Sequence, residues 1–409
     1  MGLLSIFRQR AFWAFFGTGL IVSVAYMDPG NWGASISAGA KFNYDLLWVV
    51  WLSSGMAMLF QYLSGKMGLA GHSLAGMVRE QVKSRPLLVG YWLLAEAAVL
   101  ATDLAEYLGI VVALHLLFGI PMLTGAFLAM LDVFLLLLLT RKGIRPLEYA
   151  FIVFVSVIGL GYLYEIFLSR PDFAGIALGS VTPTLNAEMA LYAVSIIGAT
   201  VMPHALFVHS WLMQEKARRM RLGPKALPYH LADDVLSLFL AGLVNAAILI
   251  MAAAAFYSRG IAVATIDKAY LTLEPLFGRM ASVVFGVALL AAGISSSITG
   301  TLAGQSIMES LTDFRLSPLL RRIITRVINV VPIVIAILLH AEPLQILVWS
   351  QALLSLLLPV PLIPLILFTA KKDIMGTLRN RPLTTAVSAL FALIILGFNG
   401  YMLYSIARG

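Results

Sequence analysis

The sequence predicts an all-α polytopic membrane protein, and three observations lead to this prediction: composition, long apolar segments and the distribution of basic residues. Of the 409 residues, 60% are hydrophobic and only 12% are charged, with a mean hydropathy of +0.93. A soluble globular domain carries about 25% charged residues. A water-soluble globular fold is therefore excluded.

The apolar segments predict eleven membrane crossings, since a transmembrane helix needs about 20 residues. They lie near 11–40, 45–70, 87–117, 121–140, 147–168, 188–214, 233–257, 274–306, 323–340, 345–369 and 382–406. The first segment is long and interrupted by polar residues, so we expect it to be retained and not cleaved as a signal peptide. The chain has no cysteine, which excludes disulfides, thiolate ligands and cysteine nucleophiles.

The net charge of +8 could indicate nucleic-acid binding, but the positions of the basic residues favour a membrane explanation. With a cytoplasmic N-terminus, 22 of the 28 Lys and Arg residues fall in inner segments. The exceptions are Lys41, Arg170, Arg259, Lys268, Arg279 and Arg408. We therefore expect a multi-pass protein of the cell membrane, with the lipid bilayer as its surroundings, an external C-terminus and no nucleic-acid partner.

The first predicted span contains the tetrapeptide Asp28-Pro29-Gly30-Asn31. An ionisable side chain at the centre of a bilayer costs about 2.5 to 3.5 kcal/mol on insertion scales, so it indicates a functional site. Pro29 lacks a backbone donor and Gly30 relaxes the backbone. These residues predict a discontinuous helix with free carbonyl groups.

The sixth predicted span is interrupted in a similar way by Met202-Pro203-His204. Spans one and six are equivalent positions if two five-helix repeats of opposite orientation are followed by an eleventh span. The expected divisions are residues 1–180, 181–370 and 371–409. The alternative is that Pro203 only kinks a continuous helix.

The two interruptions together could present a mixed set of donor atoms: the Asp28 carboxylate, the Asn31 amide oxygen, the Met202 thioether and the carbonyls of Ala25 and Ala199. Magnesium and calcium prefer oxygen alone, whereas manganese, iron and cadmium accept sulfur. The set therefore favours a divalent transition metal. For Met202 alone, ordinary packing remains the alternative.

Five strings carry a resemblance to a known family: DPGNW at 28–32, ATDLAEYLG at 101–109, ATVMPH at 199–204, SSSITGTLAGQ at 295–305 and WSQALLSLLLPVPLIPL at 349–365. In this order they closely resemble the Nramp family of proton-coupled divalent metal transporters, in its bacterial manganese and iron uptake branch. Ala205 and Ile294 depart from the residues common in that family. The retained Met202 argues against its magnesium-transporting relatives.

The resemblance implies a LeuT-like fold, a 5+5 inverted repeat with discontinuous spans one and six plus an eleventh span. It implies that metal is held between the two discontinuous spans by Asp28, Asn31, Met202 and the carbonyls of Ala25 and Ala199, with Gln351 joining in some conformations. It also implies import of Mn²⁺, and of Fe²⁺ and Cd²⁺, as substrate with protons as co-substrate. No resident cofactor, enzymatic activity or obligatory protein partner is expected.

The third span carries Glu96, Asp103 and Glu106, whose spacings of seven and three place them on one helical face. Three acids in a membrane helix must face protein or water. The resemblance implies that Asp103 accepts protons, that Glu106 and Glu96 lie along the same route and that Arg326 pairs with such acids. For Glu96, structural pairing with arginine is the alternative.

Two histidines of the sixth span complete the candidate residues. His204 follows the break directly, and imidazole is the side chain that titrates nearest to cytoplasmic pH, which favours a role in gating or proton movement. A satisfied core histidine is the alternative. His209 is not at the spacing of a zinc-protease pair, so a structural or gating role is expected for it.

Three other functions remain as alternatives. A sodium-coupled carrier of a small organic substrate has the same architecture, but Asp28 would repel a substrate carboxylate and Met202 would have no use. A metal-dependent intramembrane enzyme lacks a nucleophile beside a base. A passive channel would not need the acids of span three. Asp132, an isolated acid in span four, has no explanation from the sequence.

Overall fold

The computed structural model describes residues 10–132, 144–261, 266–312 and 316–408, and the regular structure of these residues is entirely helical. The helices are α1 (Arg10–Phe15), α2 (Thr18–Ala25), α3 (Pro29–Phe42), α4 (Leu47–Leu69), α5 (Leu74–Gln81), α6 (Arg85–Phe118), α7 (Met122–Leu128), α8 (Ile144–Ser169), α9 (Phe173–Val181), α10 (Ala187–Val201), α11 (Pro203–Met220), α12 (Leu227–Ala255), α13 (Ile266–Phe277), α14 (Arg279–Leu311), α15 (Pro318–Leu338), α16 (Pro343–Leu357), α17 (Pro359–Ala370), α18 (Lys372–Met375) and α19 (Pro382–Arg408).

Eight helical segments of the described residues are long and apolar enough to cross a membrane. The three other predicted spans differ for identifiable reasons. The first is divided into α1, α2 and α3, each too short to span alone. The ninth corresponds to α15, which carries three arginines near its start. Of the fourth span, near 121–140, residues 133–140 lie outside the described residues.

Glycines allow several of these helices to approach each other closely. A Cβ atom added to Gly39 of α3 would collide with the Leu249 carbonyl of α12, and one added to Gly198 of α10 would collide with the Gln351 carbonyl of α16. Small residues are the usual means of close helix packing in membranes. The half-helices of the two discontinuous spans are thereby packed tightly against α12 and α16.

The discontinuous spans lie at the centre of the bundle. The side chains of α2, α3, α10 and the first half of α11 are nearly all buried, and α6, α14 and α16 pack around them. Helix α19 lies at the periphery, contacts α10 and α17, and leaves many of its side chains exposed. This arrangement agrees with a ten-span core and an appended eleventh span, and the repeat boundaries 1–180, 181–370 and 371–409 stay a prediction.

Candidate metal site and acid–arginine cluster

The first break lies between α2, which ends at Ala25, and α3, which begins at Pro29. Asp28 is the N-cap of α3: its Oδ1 accepts the N–H of Asn31 at 2.9 Å and its Oδ2 accepts that of Gly30 at 3.2 Å. A capping carboxylate is favoured at this end of a helix by the free N–H groups and by the helix dipole. Asp28 thus caps the start of α3, and the same two hydrogen bonds fix the position of its fully buried carboxylate.

The second break lies between α10 and α11, and its single non-helical residue is Met202. Met202 has a φ of 36°, in the left-handed region that costs a residue other than glycine about 1 to 3 kcal/mol. Its side chain is fully buried, in the same apolar cluster as Ala25 and Met27 of the first break. A sharp turn therefore falls at the residue that carries the thioether, and the packing around Met202 holds it there against this strain.

The two breaks release main-chain carbonyls by the same means. In a continuous helix, the Ala25 and Ala199 oxygens would each accept the N–H of the residue four positions later. Those residues are Pro29 and Pro203, which have no N–H. Each carbonyl thus loses its helical partner and accepts one other hydrogen bond, the Ala25 oxygen from the Asp28 N–H at 3.3 Å and the Ala199 oxygen from a side chain at 2.7 Å. A carbonyl oxygen has two lone pairs, so both alanines stay candidate main-chain donors.

Asn31 connects the two breaks. Its Nδ2 donates to the Tyr26 carbonyl at 2.9 Å and to the Ala199 carbonyl at 2.7 Å, while its Oδ1 is buried with no hydrogen-bond partner. Gln351 of α16 lies beside them: a Cβ atom on Gly30 would collide with its Nε2. The Oε1 of Gln351 is also buried and unpartnered. The structure thus brings Asn31, Gln351 and the Ala199 carbonyl together beside Asp28 and leaves two amide oxygens available for a ligand.

We call Asp28, Asn31, Met202, Gln351 and the carbonyls of Ala25 and Ala199 the central site. Its four side chains are completely buried. Among the described residues, Asp28 has no basic side chain within ion-pair distance, and no three His, Asp or Glu side chains cluster as metal ligands. One carboxylate, two amides, a thioether and main-chain carbonyls suit a cation of mixed oxygen and sulfur preference.

A cavity of about 880 Å³ lies beside the C-terminal part of α3. It is lined by Ser37, Lys41, Tyr192, Gln345, Val348 and Trp349, among others, and we call it the vestibule. Ser37 and Val348 lie one to two helical turns from Asn31 and Gln351. Because the central-site side chains have no exposure, they are closed off from the vestibule in this conformation.

On the opposite side of the central site, His209 belongs to a buried polar network that sequence reasoning missed. The Gln61 Nε2 donates to the Tyr26 hydroxyl at 2.6 Å, and the His209 Nδ1 lies 2.9 Å from the Gln61 Oε1. Since an amide oxygen only accepts, Nδ1 is the donor. Asp234 lies 3.9 Å from His209, and the His230 ring lies edge-on to it at 5.3 Å. His209 is thus linked to the first break through Tyr26.

His204 is also fully buried, and its contacts determine its tautomer. The Thr102 hydroxyl lies 3.1 Å from the His204 Nδ1 and donates its own hydrogen to the Ala98 carbonyl at 3.0 Å. The Nδ1 must therefore donate to Thr102, and the Nε2 of the neutral ring carries no hydrogen. That Nε2 has no partner. His204 thus contacts the residue that precedes Asp103.

The three acids of α6 face protein, as predicted. Glu96 pairs with Arg321 at 2.6 Å, and Asp103 pairs with Arg322 at 3.3 Å. Glu106 is fully buried, and neither of its oxygens has a partner. The three acids thus share one helical face, as expected. Glu96 pairs with an arginine, which is the structural alternative given for it above.

The pairing expected of Arg326 requires a correction. Arg326 contacts only the main-chain oxygen of Asp103, at 3.5 Å, and its ion pair is with Asp132. The Asp103 carboxylate is instead bound by Arg322, one helical turn earlier. The spacing of four between the two arginines could have indicated that both face α6. We call Asp103, Glu106, Asp132, Arg322 and Arg326 the acid–arginine cluster.

Two glycines of the SSSITGTLAGQ string make room for these charges. A Cβ atom on Gly300 would lie 2.9 Å from the Asp103 Oδ1 and 3.0 Å from the Glu106 Oε2. One on Gly304 would collide with the Arg321 guanidinium. Gly109, at the end of the ATDLAEYLG string, similarly accommodates Pro29. The glycines of these strings therefore have the same role: they leave the space in which neighbouring side chains pack around the two polar regions.

Central discontinuous helices in an all-helical bundle define the class of membrane proteins with a LeuT-like fold. Two solved structures of low sequence identity share this fold: Mhp1, a nucleobase-cation-symport-1 family transporter (TM-score 0.64, 15% identity, 96% of this chain and 89% of that chain), and MhsT in complex with L-phenylalanine (TM-score 0.57, 15% identity, 95% and 97%).

Within this class, the chain belongs to the Nramp family. Residues 19–405 match the family described as natural resistance-associated macrophage protein-like. The divalent metal cation transporter MntH of Deinococcus radiodurans is 43% identical over 406 residues, covering 97% of this chain and 90% of that protein. The MntH of Verminephrobacter eiseniae is 44% identical over 393 residues, covering 95% and 88%. The Eremococcus coleocola manganese transporter, crystallised with an aromatic bis-isothiourea substituted compound, has a TM-score of 0.86 at 34% identity, covering 98% and 89%.

Proposed function

We propose that this chain is a proton-coupled symporter that imports divalent transition-metal ions by alternating access, with Mn²⁺ as the main substrate and Fe²⁺ and Cd²⁺ as others. One observation carries the proposal. The buried Asp28 carboxylate, which has no basic partner among the described residues, stands at a proline-broken helix with two unpartnered amide oxygens nearby, and a buried methionine occupies the second break. In a membrane interior this arrangement is stable only with a cation or a proton bound.

The selectivity follows from the donor atoms. Asp28 supplies the negative charge, and Asn31 and Gln351 supply oxygens that are free in this conformation. Met202 supplies sulfur, which gives little to magnesium or calcium and binds manganese, iron or cadmium. The relatives named as divalent metal cation transporters, and the solved manganese transporter, support this assignment.

Transport then follows in steps that this chain's residues perform. Metal enters the vestibule, loses most of its water and binds at Asp28, Asn31 and Met202. A bound dication disfavours protonation of Asp28, so a proton passes towards Asp103 and the other acids of α6. Movement of α1 and α2 opens the opposite side. With the N-terminus in the cytoplasm and the C-terminus outside, each positive charge gains about 2.3 kcal/mol per 100 mV of membrane potential.

The test is uptake into proteoliposomes of manganese, cadmium, calcium and magnesium, with and without a proton gradient, with an internal pH dye. We expect manganese and cadmium uptake with internal acidification, and little uptake of calcium or magnesium. Manganese uptake without acidification would overturn symport. Sodium-dependent uptake of an organic substrate, with no metal uptake, would overturn the metal assignment in favour of the related carriers.

A further inference from the structure

Asp132 makes the closest ion pairs in the acid–arginine cluster. It follows α7, and its side chain is 5% exposed. Its Oδ2 accepts from Arg322 Nη2 at 2.8 Å and from Ser297 at 3.1 Å, and its Oδ1 accepts from Arg326 Nε at 3.1 Å. Arg326 Nη2 donates to it as well. One carboxylate thus binds two arginines and a serine from two other helices.

Asp103 is bound less closely by the same arginines. The Arg322 guanidinium bridges the two acids, with Nη1 at 3.3 Å from Asp103 and Nη2 at 2.8 Å from Asp132. Arg326 reaches only the main chain of Asp103 and stacks over the Tyr107 ring at 4.7 Å. Both arginines are therefore held by Asp132 whether or not Asp103 is ionised.

The charges of the cluster do not balance when every group is ionised. Three acids, Asp103, Glu106 and Asp132, face two arginines. Buried charges are paired or neutralised, so the cluster is stable with one proton bound. Asp132 has the best pairing and stays ionised, which leaves the proton to Asp103 and Glu106. The other titratable groups near the cluster are His204 of α11, which faces Asp103, and Asp28, which lies beyond Glu106. Tyr107 of α6 faces Arg326 and Asp132.

We propose that Asp132 is the fixed counter-ion of Arg322 and Arg326, a positioning residue whose charge lets Asp103 and Glu106 share one exchangeable proton. This inference rests on the proposed proton coupling. If residue 132 were neutral, the two arginines would be balanced by Asp103 and Glu106 themselves. Both acids would then stay ionised, and the proton would bind only at lower pH.

The experiment measures metal-evoked proton influx and manganese uptake into proteoliposomes over a range of external pH, for the unmodified chain and for Asp132→Asn. We expect the pH midpoint of proton influx to fall by about one unit or more in the variant, since a nearby charge shifts a titration by about one to three units. Manganese affinity measured calorimetrically should stay within about threefold, because Asp132 contacts none of the central-site residues. Asp132→Glu should keep the midpoint near that of the unmodified chain.

Two further variants distinguish the effect of the Asp132 charge from a general disturbance of the fold. Glu80→Gln removes an exposed acid elsewhere and should leave the midpoint unchanged. The double variant Asp132→Asn/Arg326→Gln removes one charge of each sign, so it leaves one arginine facing two acids. Removing both members of a buried pair is tolerated better than removing one. Its midpoint should return towards the unmodified value, which a merely structural role of Asp132 would not produce.

The outcomes distinguish the two proposals. If the unmodified chain moves manganese without protons, proton coupling fails and the role of Asp132 fails with it. If the unmodified chain is coupled but the Asp132→Asn curve superimposes on it, the inference about Asp132 alone is overturned. The inference is also overturned if Asp132→Asn shifts the pH midpoint and the double variant does not bring it back towards the unmodified value.

Discussion

The central site and the acid–arginine cluster are two buried polar regions of one helix bundle, and they balance charge in opposite ways. In the central site, Asp28 has no basic partner among the described residues. In the cluster, Asp103 and Asp132 are paired with arginines, and only Glu106 is left over. On the proposed function, the first region would take its balancing charge from a metal ion and the second from a single proton. The comparison therefore assigns metal binding and proton binding to separate places in one bundle, which is what the following predictions test.

The two regions also obtain their polar atoms differently. The central site depends on broken helices, because prolines release the Ala25 and Ala199 carbonyls. In the cluster, α6 and α14 are continuous, so its polar groups are side chains, and Gly300 provides the space for them. Changes to the backbone should therefore affect metal binding most, and changes of side-chain charge should affect proton movement most.

The largest effect is expected from Asp28→Asn, which removes the only charge of the central site. Manganese affinity should fall by at least about 100-fold, or about 2.7 kcal/mol of binding free energy. Isothermal titration calorimetry on the purified protein measures it. Asp45→Asn makes the same chemical change at an exposed position and should bind normally. Retained affinity in Asp28→Asn would show that metal binds elsewhere.

A pair of glycine substitutions tests the separation of the two regions directly. Gly30→Ala places a methyl group against Gln351 and 2.8 Å from the Asp28 Oδ2. Overpacking costs about 1 to 3 kcal/mol, so we expect manganese affinity to fall about tenfold or more. Gly300→Ala places a methyl group against Asp103 and Glu106, so metal-evoked proton influx should fall about tenfold, with metal affinity retained.

Gly55→Ala is the matched control for both glycine substitutions. Gly55 lies in α4, and a Cβ atom there meets nothing within 4 Å. It should be neutral or slightly stabilising, by about 0.5 to 1 kcal/mol, because alanine favours the helix. If Gly30→Ala and Gly300→Ala impaired metal affinity and proton influx to the same degree, the two regions would be one functional unit.

A smaller effect is expected on selectivity from Met202→Ala. Loss of the thioether should reduce the preference for manganese over calcium about tenfold, since selectivity is a difference between two affinities. Competition of calcium against manganese uptake measures this ratio. Met213→Ala removes another fully buried methionine, in α11 of the same predicted span, and controls for the loss of packing. An unchanged ratio in Met202→Ala would exclude sulfur as the filter.

The two helix breaks of the central site could be predicted from the sequence because their causes are local, whereas Gln351 entered only through the family resemblance. A proline removes one donor from the chain wherever it stands, so the positions of Pro29 and Pro203 determine which carbonyls are released. The Asp28 cap likewise depends only on the next three residues. The fold class also follows from local pattern, and the family comparisons confirm the resemblance that the strings indicated.

The pairings of the cluster could not be predicted, because they depend on which helices become neighbours. The face of α6 was predictable from the spacing of its acids. The choice of Arg322 over Arg326 for Asp103 depends on how α15 is placed relative to α6, and on Asp132 binding both arginines. The link from His209 to Tyr26 through Gln61 similarly joins two helices and the first break, which are far apart in sequence, so no spacing along the chain reveals it.

The smallest effect is expected from Ser297→Ala, which removes one hydrogen bond to Asp132 and no charge. A hydrogen bond to a charged group is worth about 1.5 to 3 kcal/mol, and the two arginines retain most of the binding of Asp132. We expect the pH midpoint of proton influx to move by only a few tenths of a unit, in the same direction as in Asp132→Asn. The reason is that losing this hydrogen bond makes the ionised form of Asp132 slightly less favourable. In the Asp132→Asn background the same substitution should have no further effect, because the charge on which it acts is gone. Equal shifts in both backgrounds would mean that Ser297 acts on the cluster independently of Asp132.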